Sequence, residues 1–397
     1  MAASRVRNHV EAPSVWHSCI VVTPALAYGS WSWFDDVIRH SPDVSWLVVG
    51  YGTVPAEAPR NVRFITLRGG DYLKVGRLGA RTRFLWLNLL YVMPLVLLAM
   101  VHTWRLKPSV VVGNGIAAAS LLPFCRVASP RTRVWLAYHS AIGHLPDHVR
   151  GVIRTVLAPV SGAVCNSLGN ERELRSVMPG RPVVSVEHWA DDAFFTGDVR
   201  PSGSPRRGDL SVPIRVLYVG RTDPEKFGQC LRVCTALAKQ GLVELTVVGP
   251  TATVASPPAV RFIGYVSSRA ALHELYQHAD VTWAPADVDY LSRPGVESLA
   301  SGCPIIVSDI PAVGGKCDGS IRIPRSLVPK GVGVVVDGSD DREVVALFRA
   351  WATGAGTPGE RQVCRAFASD RFSSRNIRLI IDAWFPGEAR KGPAERR

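Results

Sequence analysis

The sequence predicts an α/β protein built from two doubly wound domains. Three observations carry this. Short, continuous β-branched runs recur along the chain, as in strands buried on both faces of a parallel sheet. Longer helical patterns separate them, which is the alternation of repeated βαβ units. A stretch rich in Pro, Gly, Ser and charge, 196–213 (TGDVRPSGSPRRGDLSVP), has no apolar periodicity and divides the chain near its middle.

A length of 397 residues suits two domains. In the first half the strand candidates are 18–23, 46–49, 62–66, 110–112, 134–138, 163–165 and 183–186. In the second half they are 215–218, 244–248, 260–263, 281–284, 305–308 and 333–335. The expected organisation is a first domain at 1–196, a linker at 197–213, a second domain at 214–370 and a C-terminal helix with its tail at 371–397. Doubly wound sheets bind ligands beyond the carboxyl ends of their strands. Two facing sheets would bring both sets of strand ends to one interdomain cleft.

Hydrophobic residues make up 47% and charged residues 20%, which is ordinary globular usage and excludes global disorder. The eight cysteines form no CxxC pair. Several lie inside apolar runs, such as Cys165 in GAVCNS and Cys303 in SGCPIIV, as reduced buried thiols do. The opening residues, MAASRVRNHVEAPS, are polar and lack the apolar region of a secretory signal. A reducing, cytoplasmic location is therefore expected.

The formal charge of +13 is unevenly spread. Residues 60–133 hold twelve Lys or Arg and one acid, Asp71. A block this one-sided points to an anionic surface, membrane phospholipid or nucleic acid, or else to a solvated basic face. The segment 84–104, FLWLNLLYVMPLVLLAMVHTW, is long and apolar enough to consider as a membrane span. Asn88, Pro94 and His102 interrupt it, and the strand at 110–112 follows at once. A helix that is buried or faces a membrane fits better than a span. Arg77, Arg81 and Arg83 just before it suit peripheral seating on anionic lipid at the inner face of the membrane.

The chemistry is concentrated between Val216 and Asp309. In VLYVGRTDPEKFG a strand runs into Gly220, followed by Arg221 and Lys226, with a helix expected from about Gly228. A glycine turn and two cations beside a helix N-terminus form an anion pocket. Arg can clamp phosphate with two parallel bonds, and Lys adds a point charge. Downstream, DVDYLSRPGVESLASGCPIIVSD places Asp289 in a loop and Glu297 at the opening of a helix.

These segments resemble the nucleotide-sugar domain of glycosyltransferase family 4 and its GT-B relatives. The family's G-R-L-x-x-x-K-G is matched by Gly220-Arg221…Lys226, and its V-x-F-x-G-x-V by Val260-x-Phe262-x-Gly264-x-Val266. Its E-x7-E-A-x-A-x-G-x-P-V-V is matched by Asp289-x7-Glu297-Ser298-x-Ala300-x-Gly302-x-Pro304-Ile305-Ile306. About 100 residues match strongly. Weaker matches follow in order: LKPSVVVGNG at 106–115, RVWLAYHSAIG at 133–143, GAVCNSLGNERELRS at 162–176, PVVSVEHWADDAFF at 182–195 and RFSSRNIRLIIDAWF at 371–385. Departures are Asp289 for the family's Glu, Phe227 before the phosphate-loop glycine, a glycine-rich turn reduced to Tyr28-Gly29-Ser30, and His188-Trp189 for Asn-Gly.

The resemblance implies a GT-B fold, two Rossmann-like domains facing across a cleft, with the last helix packed back on the first domain. It implies retaining transfer from a nucleotide-diphosphate sugar with no metal or other cofactor. By it, Arg221 and Lys226 take up charge on the departing diphosphate. The N–H groups of Ser292, Arg293, Pro294's neighbours and Gly295 add a helix end. Glu297 binds the ribose, Tyr265 and Val266 flank the base, and Gly220 belongs to the donor-binding loop with Arg221 and Lys226. Asp289 contacts the transferred sugar. On the acceptor side stand Gly29, Ser30 and His139, the last a catalytic candidate at a strand end. The acceptor is a hydroxyl, in one reading that of a membrane lipid or lipid-linked glycan.

Plainer readings stand beside these. Arg221 and Lys226 can be surface charges at a helix start, Glu297 a helix-terminal acid, Asp289 a turn residue, and Tyr265 and Val266 core. His144, Asp147 and His148 cluster near His139, but no cysteine or acid array completes a metal shell. Gly113-Asn114-Gly115 begins a G-x-G-x-x-A match, yet Arg131–Gly143 carries no acid to hold an adenosine ribose, so it reads as a backbone turn. Two other classes remain open. One is another GT-B enzyme, an inverting transferase or nucleotide-sugar epimerase. The other is a non-catalytic binder of anionic lipid or nucleic acid, although a nucleic-acid partner is not expected.

Overall fold

The computed structural model describes residues 17–24, 26, 28–54, 58–68, 85–139, 147–199, 212–249, 260–286, 290–309 and 327–386. The chain forms two compact units, Met1–Val186 with Ile377–Arg397, and Glu187–Asn376.

In the first unit β1 (His17–Thr23) leads to α1 (Tyr28–Arg39), β2 (Val44–Tyr51) and β3 (Val62–Leu67). The long α2 (Leu85–Leu106) then crosses to β4 (Val110–Asn114). Next come α3 (Ile116–Leu121), a 3-10 turn (Leu122–Phe124), α4 (Cys125–Ala128) and β5 (Arg133–Tyr138). The run closes with α5 (Asp147–Leu157), β6 (Gly162–Cys165), α6 (Leu168–Val177) and β7 (Val183–Ser185). Every pairing is parallel, in the order β3-β2-β1-β4-β5-β6-β7. The winding reverses between β1 and β4, which leaves a crevice beyond their carboxyl ends.

The second unit repeats the plan. β8 (Ile214–Val219), α7 (Pro224–Ala238), β9 (Val243–Val248), β10 (Val260–Gly264) and α8 (Arg269–His278) make its first half. β11 (Val281–Trp283), α9 (Arg293–Ala300), β12 (Ile305–Asp309), β13 (Gly333–Asp337), α10 (Asp341–Ala352) and α11 (Arg361–Arg371) make its second. The parallel order β10-β9-β8-β11-β12-β13 places the reversal between β8 and β11.

Burial follows the apolar runs. Ile20, Val22, Val111, Leu136 and Cys165 fill the first core with Leu95, Val96 and Ala99 of α2. In the second unit Trp283 of β11 stacks on Phe348 of α10, centroids 6.4 Å apart. Cys19, Cys125, Cys165, Cys230, Cys234, Cys303 and Cys364 are free and buried.

The units divide earlier than the composition of 197–213 implies. The sequence reading carried the first domain to Thr196, whereas the division follows Val186. Tertiary contacts explain it. Phe194 is buried in the second core, Asp191 caps the turn Asp192–Phe195, and Glu187 binds Arg371 in bidentate fashion at 2.5 and 2.7 Å. The last helix, α12 (Arg375–Trp384), returns to the first unit. Its Trp384 is fully buried against Trp33, Phe34 and Trp46, and the Arg133 guanidinium donates to the Trp384 carbonyl.

Candidate functional site

The reversal point of the second sheet gathers most of the residues singled out from the sequence. β8 delivers Gly220 and Arg221, and β11, its neighbour, leads toward α9. Asp223 caps α7, its Oδ1 accepting from the Lys226 N–H at 3.1 Å, and Pro224 occupies the first turn. Such a cap stabilises a helix by about 1 kcal/mol, and Pro suits the start because its missing N–H is not needed there. The helix therefore begins at Pro224 rather than near Gly228, and Lys226 stands in its first turn, not in the preceding loop. The Arg221 Nε lies 3.2 Å from Asp223 Oδ2, and the Tyr218 hydroxyl donates to the Arg221 carbonyl at 2.5 Å. The loop is thus held at both its backbone and its cation.

Beside it, three strands end on glycines in contact. Gly220 donates to the Val248 carbonyl and Gly249 to the Gly264 carbonyl, each at 2.9 Å. A Cβ on Gly249 would lie 2.0 Å from the Gly220 oxygen. Gly264 adopts φ 82°, which favours glycine. The sequence reading passed over Gly249, though an apolar strand running straight into glycine was the available signal. Tyr265 follows Gly264 and is 75% exposed. Val266 is partly buried against the second core.

On the other side of the reversal, Ser292 is the N-cap of α9, Arg293 begins it and Pro294 lies in its first turn. Gly295 is buried, and a Cβ there would sit 3.3 Å from that of Ala284 at the end of β11. Small size lets the helix start approach the strand end. Glu297 stands in the second turn, not at the opening as the sequence reading had it. Its side chain is buried. Tyr276 of α8, itself buried, donates to Glu297 Oε2 at 3.2 Å, and Arg293 Nε lies 3.5 Å from Oε1. Burial and the adjacent carboxylate push the Tyr276 hydroxyl well above its usual range, so it acts as a donor. No spacing rule could have found Tyr276. Asp289 lies outside the described residues.

The first unit has a reversal point of its own. Asn114 Nδ2, closing β4, donates to Thr23 Oγ1, closing β1, at 3.0 Å. Gly113 lets α3 approach, since a Cβ would meet the Ala119 nitrogen at 2.6 Å, and Gly115 caps α3. The G-x-G match is thus a packing turn. His139 follows β5. Its ring meets Trp33 of α1 edge-on at 4.9 Å. The Nε2 atom is shut off from solvent and has no hydrogen-bond partner among the described residues. Burial lowers its pKa to about 4, so the imidazole is neutral at pH 7. Gly29 and Ser30 lie in the first turn of α1, not in a turn before it.

Two sheets of one winding, each with polar groups at its reversal, place the chain in the GT-B class. Solved structures of that class share the fold. The sucrose-phosphate synthase tll1590 from Thermosynechococcus elongatus superposes with a TM-score of 0.69 at 16% identity, covering 93% of this chain and 98% of that one. Anabaena Alr3699/HepE in complex with UDP and glucose gives 0.63 at 16%, covering 92% and 98%. The E. coli structure described as trehalose-6-phosphate bound with UDP-2-fluoro glucose gives 0.62 at 11%, covering 92% and 98%. No curated protein matches the chain by sequence. Residues 213–336 match the family model Glycosyl transferases group 1. That match runs from β8 to β13 and, with the shared fold, supports a glycosyltransferase.

Proposed function

We propose that the protein transfers a hexosyl group from a nucleotide-diphosphate sugar to a hydroxyl acceptor, with retention of anomeric configuration and without a metal. One observation carries the reading. Glu297 is buried and held by Tyr276 in the second turn of α9, while the neighbouring strand end presents Gly220 and Arg221, and Lys226 stands in the first turn of α7. A carboxylate held this way accepts from ribose hydroxyls, and the cations with two helix starts receive a diphosphate. The complexes of structural relatives with UDP and with UDP-2-fluoro glucose support such a donor.

In this mechanism the leaving diphosphate collects negative charge as the glycosidic bond lengthens. Arg221, Lys226 and the N–H groups at the start of α9 stabilise that charge. Asp289 is assigned, by the resemblance of its motif, to stabilising the oxocarbenium charge on the transferred sugar. The acceptor hydroxyl enters on the face the diphosphate leaves, and neutral His139 serves the acceptor side with Gly29 and Ser30. A thermal-shift panel of UDP, GDP and ADP with their sugars tests the donor site. The right ligand at 100 times its dissociation constant stabilises by about 2.7 kcal/mol. Product anomer analysis and unchanged turnover in EDTA test retention and metal independence. No shift with any nucleotide overturns the reading.

A further inference from the structure

We propose that the outward face of α2 docks on an anionic lipid bilayer. The helix is apolar all round, with a mean hydropathy of 1.6 over 88–106, yet the described residues cover only one side of it. Leu95, Val96 and Ala99 enter the first core, and Val92 is buried. Leu90, Met93, Leu97, Val101 and Trp104 form a stripe at helical spacing on another side, with Leu97 56% and Trp104 65% exposed. An all-round apolar helix belongs in a core or against lipid. The adjoining segment adds Phe124 and Val127, 57% and 82% exposed. An exposed apolar surface of this extent marks an interaction face.

Charge selects the occupant. Arg105 and Lys107 are exposed at the end of the stripe, next to Trp104, and Arg131 is exposed beyond α4. Between Asp71 and Asp147 the chain contains no Asp or Glu. Tryptophan beside cations at the end of an apolar stripe suits the headgroup boundary of a membrane, with the stem in apolar surroundings and the charge at phosphate. The helix does not span. Its inner side is packed on the sheet, and β4 begins at Val110, hydrogen-bonded to β1. It lies along the bilayer surface. Resting on the transfer reading above, this places the acceptor hydroxyl on a lipid or lipid-linked sugar.

Flotation of the full-length protein, without nucleotide, tests the docking independently of the donor site. Vesicles of phosphatidylcholine with phosphatidylglycerol are compared with phosphatidylcholine alone, at low and high salt. Binding is expected to require the anionic lipid and to fall with salt. Leu97→Glu and Trp104→Glu each lower the bound fraction about tenfold, while circular dichroism melts and nucleotide thermal shifts stay as in wild type. Absence of flotation on anionic vesicles at low salt overturns the proposal, as do variants that float like wild type. So does a dimer that the variants convert to monomer while wild type fails to float, since the face then belongs to a second copy. Nucleotide binding without flotation removes the lipid inference alone, and flotation without nucleotide binding removes the donor reading alone.

Discussion

The Tyr276 hydroxyl donates to Glu297 Oε2 at 3.2 Å, joining α8 to α9 inside the second unit. Both side chains are buried, so neither group can turn to water when the other is removed. Leaving a buried acceptor unsatisfied costs about 1–3 kcal/mol. Tyr276→Phe is therefore expected to lower chemical-denaturation stability by that amount and to weaken nucleotide binding. Glu297→Gln keeps the volume and chiefly weakens nucleotide binding. Titration of each variant by calorimetry checks this, and unchanged affinity in both removes Glu297 from the ribose.

Arg221→Ala and Lys226→Ala are expected to cut turnover by a factor corresponding to about 2.7–4 kcal/mol of transition-state stabilisation each. Steady-state kinetics decide it. Turnover within twofold of wild type in both variants ends the diphosphate assignment.

Asp289→Asn should lower turnover while leaving nucleotide affinity in place, the reverse of Glu297→Gln. A change confined to kcat marks a group felt in the transition state only. Equal loss of affinity in the two variants would merge their roles.

Gly249→Ala forces a methyl group to 2.0 Å from the Gly220 carbonyl oxygen, so the backbone must move. A loss of about 1–3 kcal/mol is expected from overpacking, together with weaker nucleotide binding because the loop carrying Arg221 shifts. A melting temperature and affinity equal to wild type contradict the contact.

His139 gives a pH signature. Its folded pKa of about 4 lies below the unfolded value near 6.5. Between those values the unfolded state binds more protons, so stability falls as pH drops from 6.5 toward 4 and is complete above 6.5. His139→Phe is expected to flatten that part of the profile, by roughly 3 kcal/mol at pH 4. Denaturant titrations of both proteins between pH 4 and 7.5 read the difference.

The strands were legible because β-branched runs such as CIVVT and VVVGN announce strands covered on both faces. Helix starts were less so. Asp223-Pro224 and Ser292-Arg293-Pro294 are good start signals, but the sequence reading starts these helices at about Gly228 and at Glu297. Arg221, Lys226 and Glu297 were readable as types at a spacing. Their local partners were not, because Tyr276 reaches Glu297 from another helix and Gly249 meets Gly220 from another strand. The division after Val186 was hidden for the same reason. Phe194 reads like a domain-end residue until its neighbours are known.

The first unit is made from both ends of the chain, with Ile377–Arg397 closing what the first 186 residues begin. During synthesis those early residues emerge without Trp384, the ring that fills the space among Trp33, Phe34 and Trp46. The second unit, continuous in sequence, can complete its core while the ribosome is still at work. The first waits for the final helix. Synthesis of Arg375–Trp384, not emergence of β1 to β7, sets the moment at which this half of the molecule can finish folding, and truncation before Arg375 damages the unit that those earlier strands build.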